Sequence, residues 1–206
     1  MPIDELLLLG AGGHGKVVLD TCRSLGVLNI IVMDQDASKH GQSFEGLLIQ
    51  PEDFHHAAGL AHVSIGDNLA RKKTSSLALE AGLTLFSVRH STSSVSRTAR
   101  ISEGCFLAAQ SVISSNADVG EGAIINHGSV VDHDCSVGSY THIGPNATLG
   151  GGVSIGNDSL IGAGAILLPG VRIADSVVVG AGSVVTKSID QNEAVVWGIP
   201  ARKMTG

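Results

Sequence analysis

The chain has 206 residues, of which 43% are hydrophobic but only 3% aromatic, while 27 are Gly. A core with so few large rings is built from aliphatic side chains between repeated tight corners, not as an ordinary globule. Thirteen scattered basic residues against 19 acidic ones, a net charge of −6, argue against a nucleic-acid partner.

No apolar stretch approaches the ~20 residues of a membrane span, so membrane insertion is not expected. Leu6 to Leu9 is too short for a signal-peptide core and runs into a glycine loop. Three Cys without paired spacing suit a reducing cytoplasm.

In chain order, residues 3–9 predict a first strand entering Gly10-Ala11-Gly12-Gly13-His14-Gly15. A helical pattern continues through Val17, Val18, Thr21, Cys22 and Leu25 and stops at Gly26. A second strand, from about Leu28 to Met33, ends at Asp34. Strand, Gly-x-Gly-x-x-Gly turn, helix, strand and acidic residue is the order of dinucleotide-binding folds. The glycines let a phosphate approach backbone amides at a helix N-terminus, and Asp34 is placed to accept hydrogen bonds from ribose or base. The alternative for this turn is tight geometry without a ligand. Further strands are expected at 61–65 and 83–88, with a helix near 67–81 whose Arg71-Lys72-Lys73 reads as a solvated face. Only about 55 residues separate Asp34 from the repeat that begins near Val95, too few for a full nicotinamide dehydrogenase.

From Val95 onward, Val, Ile or Leu recurs every sixth residue through Ile101, Leu107, Ile113 and on to Val185, sixteen times without a miss. Four places later the residue is usually small, as at Ala99, Cys105, Ser111, Ala117 and Cys135. One place later Gly recurs, at Gly120, Gly138, Gly144, Gly150, Gly156, Gly162 and Gly180. Six residues make one short strand and one corner, and three such units close a triangular coil, giving about five coils. The aliphatic residue fills the interior, and the glycine is read as permitting the corner backbone. Cys105 and Cys135 share the small inward position and read as packing residues. The domains expected are therefore 1–90 and 91–206.

The Gly-Ala-Gly-Gly-His-Gly-Lys-Val-Val opening, the hexapeptide repeat, Val-Asp-His-Asp-Cys at 131–135 and Trp-Gly-Ile-Pro-Ala-Arg at 197–202 occur together. In this combination the chain resembles the sugar acetyltransferases typified by the bacillosamine-pathway enzyme PglD and the sialic acid O-acetyltransferase NeuD. The resemblance implies a Rossmann-like α/β domain followed by a left-handed parallel β-helix, a homotrimer, and acetyl-CoA lying in a groove between adjacent helices. It also implies a nucleotide-sugar site shared between the front domain of one subunit and the β-helix of another. His133 matches the family's general base, and Asp134 its acidic partner. Asn126 and His142 match polar positions near the acceptor and the thioester. Gly13, His14 and Asp34 match the nucleotide-binding turn, which Gly10, Gly12 and Gly15 complete. The family often has a second acidic residue where this chain has Gln35, which leaves the contacts to base or ribose open.

The residues themselves support such chemistry. His127, His133 and His142 lie within sixteen residues of a surface expected to be small or polar. An amine or hydroxyl that attacks a thioester must lose a proton, and an imidazole is a suitable base near neutral pH. Asp134, or else Asp132, would orient the ring; neighbours on an extended strand diverge, so Asp134 can meet His133 only at a corner or an interface. Direct attack is favoured over an acyl-enzyme, since no Cys or Ser is visibly paired with a base. The turns Gly162-Ala163-Gly164 and Gly180-Ala181-Gly182 are small enough for a pantetheine arm, or serve corner geometry alone. No metal is expected: the histidine gaps of 6 and 9 residues do not match a β-helix zinc hydratase. A non-catalytic binding scaffold is the remaining class. Within the acyltransferases, N-acetylation of a nucleotide-linked amino sugar (UDP-4-amino-sugar type, for cell-surface glycan or glycoprotein sugars) leads, and O-acetylation of a sialic acid is the alternative.

Overall fold

The computed structural model describes residues 5–53 and 59–203; residues 3 and 4 of the expected first strand, and the last three of the expected second domain, lie outside the described residues. The front domain holds strands β1 (Leu6–Leu9), β2 (Ile30–Asp34), β3 (Ser43–Phe44), β4 (Leu47–Pro51), β5 (Leu60–Val63) and β6 (Thr84–Leu85), with helices α1 (Gly13–Ser24) and α2 (Asn68–Glu80). The sheet order is β3-β4-β2-β1-β5-β6, and every pairing is parallel except the β3–β4 hairpin at the edge. The parallel strands thus run in the order of half a doubly wound sheet, with its switch point beside β1. β1 is buried along its whole length, which is why its four residues are all Leu and do not alternate. The β3–β4 pair is not expected from periodicity, because the two-residue β3 is too short to carry a pattern.

The second domain is a left-handed parallel β-helix of about six coils, one more than the repeat count suggests, built mostly from two-residue strands in three parallel sheets, with the sixth coil closed by the Ile173–Ile189 bridge. The first face carries strands at 88, 106, 124, 142, 160, 178 and 195; the second at 94, 112, 130, 148, 166 and 184; the third at 100, 118, 136, 154 and 172. Pairing runs between residues 18 apart, such as Val112 with Val130. The inward aliphatic positions and the second inward positions, Cys105, Ala117, Ala123, Ser129, Cys135 and Thr141 among them, form one continuous core. Burial pushes the Cys105 thiol up to about 12, which suits packing rather than reactivity.

The glycines one place after the aliphatic residue do not do what their spacing suggests. Positive φ falls two residues later, at Gln110, Asn116, Gly128, Asp134, Tyr140, Asn146 and their equivalents. The recurring glycines are instead fixed by close approach: a Cβ on Gly138 or Gly144 would lie 2.4–2.6 Å from backbone atoms of the next coil. The corner twist is therefore carried mostly by Asn, Asp or Gly, with Gln110, Tyr140 and Ser176 also taking it, and the recurring glycines are set by stacking.

The two domains share a buried interface. Val88, Phe106 and Ile124 point outward from the first face, where a solenoid normally meets solvent, and pack with Val18, Leu19 and Phe44 of the front domain. Arg71 of α2, expected on a solvated face, is instead 1% exposed. Its five N–H groups are all used: Nε donates to Gly122 O (2.7 Å), Nη1 to Ile65 O and Gly66 O (3.0 Å each), and Nη2 to Asn68 Oδ1 (2.9 Å) and Tyr140 O (2.8 Å). Burial lowers its pKa to about 10, so it remains charged at neutral pH. Lys72 reaches Asp158 at 2.7 Å on the same edge of the prism.

Arg71→Ala leaves four backbone carbonyls without their donor in a closed interface. It is expected to cost about 3 kcal/mol of stability, read as a lower guanidinium midpoint at fixed protein concentration.

Candidate active site

The glycine turn sits above the sheet at the N-terminus of α1. Gly10 has φ +111, and a Cβ there would lie 2.7 Å from Ile65; a Cβ on Gly15 would lie 2.4 Å from Gly10 O. These two glycines serve the tight strand-to-helix passage. Gly12 and Gly13 are exposed, have nothing within 4 Å of a built Cβ, and α1 has no side-chain N-cap. Open space over uncapped helix amides can receive an anion.

Asp34 ends β2 directly beneath this turn. Its Oδ2 accepts from Ala11 N and Lys39 Nζ (2.8 Å each), its Oδ1 from Asp36 N (2.9 Å), and the carboxylate is largely covered. Burial alone would raise its pKa, but the hydrogen bonds from Lys39, Ala11 and Asp36 hold it below the usual carboxylate range. Gln35, the next residue, is exposed.

His14 turns from the glycine loop into the domain interface. Its ring packs edge-on against Phe106 (centroids 5.1 Å apart) and lies 6.3 Å from the ring of His142. His142, expected on the open surface, is roofed by the front domain. With the ring donating to the Gly66 backbone, its Nε2 accepts from Asn126 Nδ2 at 3.0 Å. Asn126 Oδ1 in turn accepts from both the backbone N–H and Nδ1 of His127 (2.8 Å each). Burial lowers His14 to about 3, with His62, His142 and Arg71 adding to the effect, and lowers His142 to about 4, with Arg71 adding. His62, which no motif or spacing singles out, is a third buried imidazole here, bound through Nδ1 to Phe86 O at 2.8 Å.

His133 lies on a different edge of the prism. Asp134 occupies the corner with φ 58, which turns its side chain back so that Oδ2 accepts from His133 Nδ1 at 2.8 Å. Asn116 Nδ2 donates to the other oxygen at 3.2 Å, and Asp132 Oδ1 takes the His133 backbone N–H at 2.7 Å. The Asp134 hydrogen bond, and then the charge of Asp132, raise the His133 pKa above 6.5. The ring lies over Gly151 of the next coil: a Cβ there would sit 2.5 Å from His133 Nε2. Asn116 and Gly151 escape a reading of the motif because they lie one coil either side of the dyad, a relation set by the 18-residue coil and not by local spacing.

The edge between the first and second faces carries Asn126-His127, Gly162-Ala163-Gly164 and Gly180-Ala181-Gly182 in register; the edge between the second and third carries Asn116, His133 and Gly151. Within one chain His14 of the glycine turn, His142 and Asn126 are thus brought together, the small turns continue the Asn126 edge along the prism, and the His133–Asp134 dyad stands on another edge.

The histidines should titrate in two classes. In an NMR titration His133 is expected to protonate with a midpoint above 6.5, and His14 and His142 to stay neutral down to about 3 and 4. Because these two folded values are depressed, the unfolded chain takes protons first. Their contribution to stability is complete above 6.5 and lost as pH falls toward 3. Urea unfolding of His142→Gln should show a shallower loss between pH 7 and 4 than the parent chain.

The PglD N-terminal domain family matches residues 5–77, and the bacterial transferase hexapeptide family (six repeats) matches 116–151 and 152–187. No curated protein matches the chain. Among solved structures, PerB from Caulobacter crescentus in complex with CoA and GDP-perosamine is 33% identical, with TM-score 0.91, covering 98% of this chain and 97% of that one. The acetyltransferase domain of PglB from Neisseria gonorrhoeae in complex with acetyl coenzyme A is 30% identical, with TM-score 0.92 over 98% and 100%. WeeI from Acinetobacter baumannii is 26% identical, with TM-score 0.89 over 97% and 99%. With both domains matched along nearly its whole length, the chain belongs to the PglD-type sugar acetyltransferases and is a hexapeptide-repeat acyltransferase.

Proposed function

We propose that this protein transfers the acetyl group of acetyl-CoA to the amino group of a nucleotide-linked 4-amino sugar, with His133 as general base. The observation that carries the reading is the His133–Asp134 pair: an exposed imidazole whose Nδ1 is held by a carboxylate and whose Nε2 is left for an incoming proton. Residues 1–90 bind the nucleotide sugar, with the diphosphate on the open amides of Gly12, Gly13 and His14 and with Asp34 and Gln35 on the nucleoside side. Residues 91–206 form the acyltransferase domain, with the pantetheine arm along Gly162-Ala163-Gly164 and Gly180-Ala181 beside His142. Asn126 and His142 face the acceptor and the thioester.

Since the dyad and this cluster occupy different edges of one prism, a complete site needs His133 from a neighbouring copy. Exposed Leu160, Ile166, Leu168, Val178 and Trp197 on the β-helix support such self-association, and a homotrimer with closed symmetry is the assembly proposed. In the reaction the amine nitrogen attacks the thioester carbonyl as His133 Nε2 takes its proton. The oxyanion is met by a backbone N–H donor. The C–S bond then breaks, and the imidazolium returns a proton to the CoA thiolate. No helix among the described residues is long and apolar enough to cross a membrane, and a cytoplasmic enzyme supplying sugars for surface glycans fits the substrates. The described residues hold no group of three or more His, Cys, Asp or Glu arranged for a metal.

Two features bear on the nucleotide. The resemblance favours a UDP sugar, whereas the Caulobacter neighbour was crystallised with GDP-perosamine. Thiol release from acetyl-CoA with UDP-4-amino sugars, GDP-perosamine and sialic acid as acceptors separates these. Turnover with an amino sugar is expected, reduced about 10²–10⁴-fold in His133→Ala. The acid limb of kcat/KM should lie above pH 6.5, where the paired imidazole loses its proton. Turnover with sialic acid alone would make the enzyme an O-acetyltransferase; binding of nucleotide sugar without turnover would make it a binding scaffold.

A further inference from the structure

Among the polar side chains in register with the dyad on the edge that carries His133, Asn116 bonds it directly. Asn116 lies 18 residues, one coil, before Asp134, and shares its left-handed backbone, φ 59 against 58. Its Nδ2 donates to Asp134 Oδ1 at 3.2 Å, while His133 Nδ1 donates to Oδ2 at 2.8 Å. The two oxygens of one carboxylate are thus held by donors from two successive coils. Asn116 is itself anchored, its backbone N–H donating to Thr98 Oγ1 at 3.0 Å one coil further back, and the Asp134 N–H donates to Ser115 O at 3.0 Å.

Such a second hold matters because the dyad is open to water, with His133 and Asp134 side chains 61% and 59% exposed. A carboxylate bound through one oxygen can swing about its terminal torsion, which is broad, and its hydrogen bond to the imidazole then competes with water. Asp132 is held through Oδ1 by the His133 backbone N–H, and the ring Nδ1 bonds Asp134 instead. We infer that Asn116 is a positioning residue for acyl transfer: it locks the Asp134 carboxylate in the orientation that aims the His133 ring. This rests on the reading of His133 as the base. The charged groups facing His133 are Asp132 and Asp134 of its own corner; the packed neighbours, Asn116 and Gly151, do not titrate.

The test uses two substitutions compatible with a left-handed backbone. Asn116→Gly removes the side chain and its amide without straining the backbone, because glycine adopts φ near 59 freely. It is expected to lower kcat about 3- to 10-fold, leaving KM for acetyl-CoA and for the amino sugar, and the thermal midpoint, unchanged. Asn116→Asp keeps the shape but replaces the donor with a second carboxylate against Asp134. The added negative charge is expected to move the acid limb of kcat to higher pH, which reports that position 116 faces the dyad; the fall in kcat at unchanged KM in the uncharged Asn116→Gly is the change that a merely structural residue would not produce. Wild-type kcat and pH profile in both variants, beside an inactive His133→Ala, would overturn the positioning role and leave the base in place. His133→Ala turning over at the wild-type rate would overturn the base, and the role of Asn116 with it.

Discussion

A single buried guanidinium holds the molecule's two halves in register. Arg71 takes its five acceptors from the loop after β5, from α2 itself, and from two successive corners of the β-helix at Gly122 and Tyr140. No carboxylate accepts from it directly; the charge is solvated by carbonyl oxygens, which have no protonation state to lose. A buried charge is tolerated only when its hydrogen bonds are complete. The position of α2 on the prism is therefore set to within hydrogen-bond tolerance, and with it the glycine turn that carries His14 toward His142.

The solenoid imposes the second constraint. The inward side chains of its faces are consumed by packing, so chemistry is left to outward face positions such as His142 and to the corners, where the backbone takes positive φ. Asp134 illustrates the coupling. On a continuing strand its carboxylate would diverge from His133; at φ 58 it folds back onto the ring. The corner geometry that closes each coil also makes an imidazole–carboxylate pair from sequence neighbours.

Environment then divides chemically identical side chains. His14 and His142, beneath the front domain, are kept neutral by desolvation and by the charge of Arg71. His133, exposed between two carboxylates, is made more basic. An imidazole that stays neutral can hold a polar substrate group without competing for the proton; one that is more basic can take it. The family resemblance names these positions, but it is the burial of one set and the carboxylate contacts of the other that make their difference physical.

How much of this is readable in the chain depends on the range of each interaction. The hexapeptide period, the inward Cys105 and Cys135, the glycine turn and the β–α–β order arise from contacts local in sequence or repeated every six residues, and pattern alone determines them. What the pattern could not decide is which outward positions are covered. Phe106 and Ile124 differ from their equivalents on the third face, Asp118 and Ser136, but only the docked domain shows why. Arg71 looks like any charge in a basic run until α2 is packed. The partnership of Asn116 and Gly151 with His133 spans one coil in each direction and is invisible to spacing around the motif. Sequence determined the repeating unit and the identity of the chemical groups, since those rest on local sterics and hydrophobic period. Tertiary structure decided their burial, protonation and partners, since these are set by what another part of the chain brings within a few ångströms.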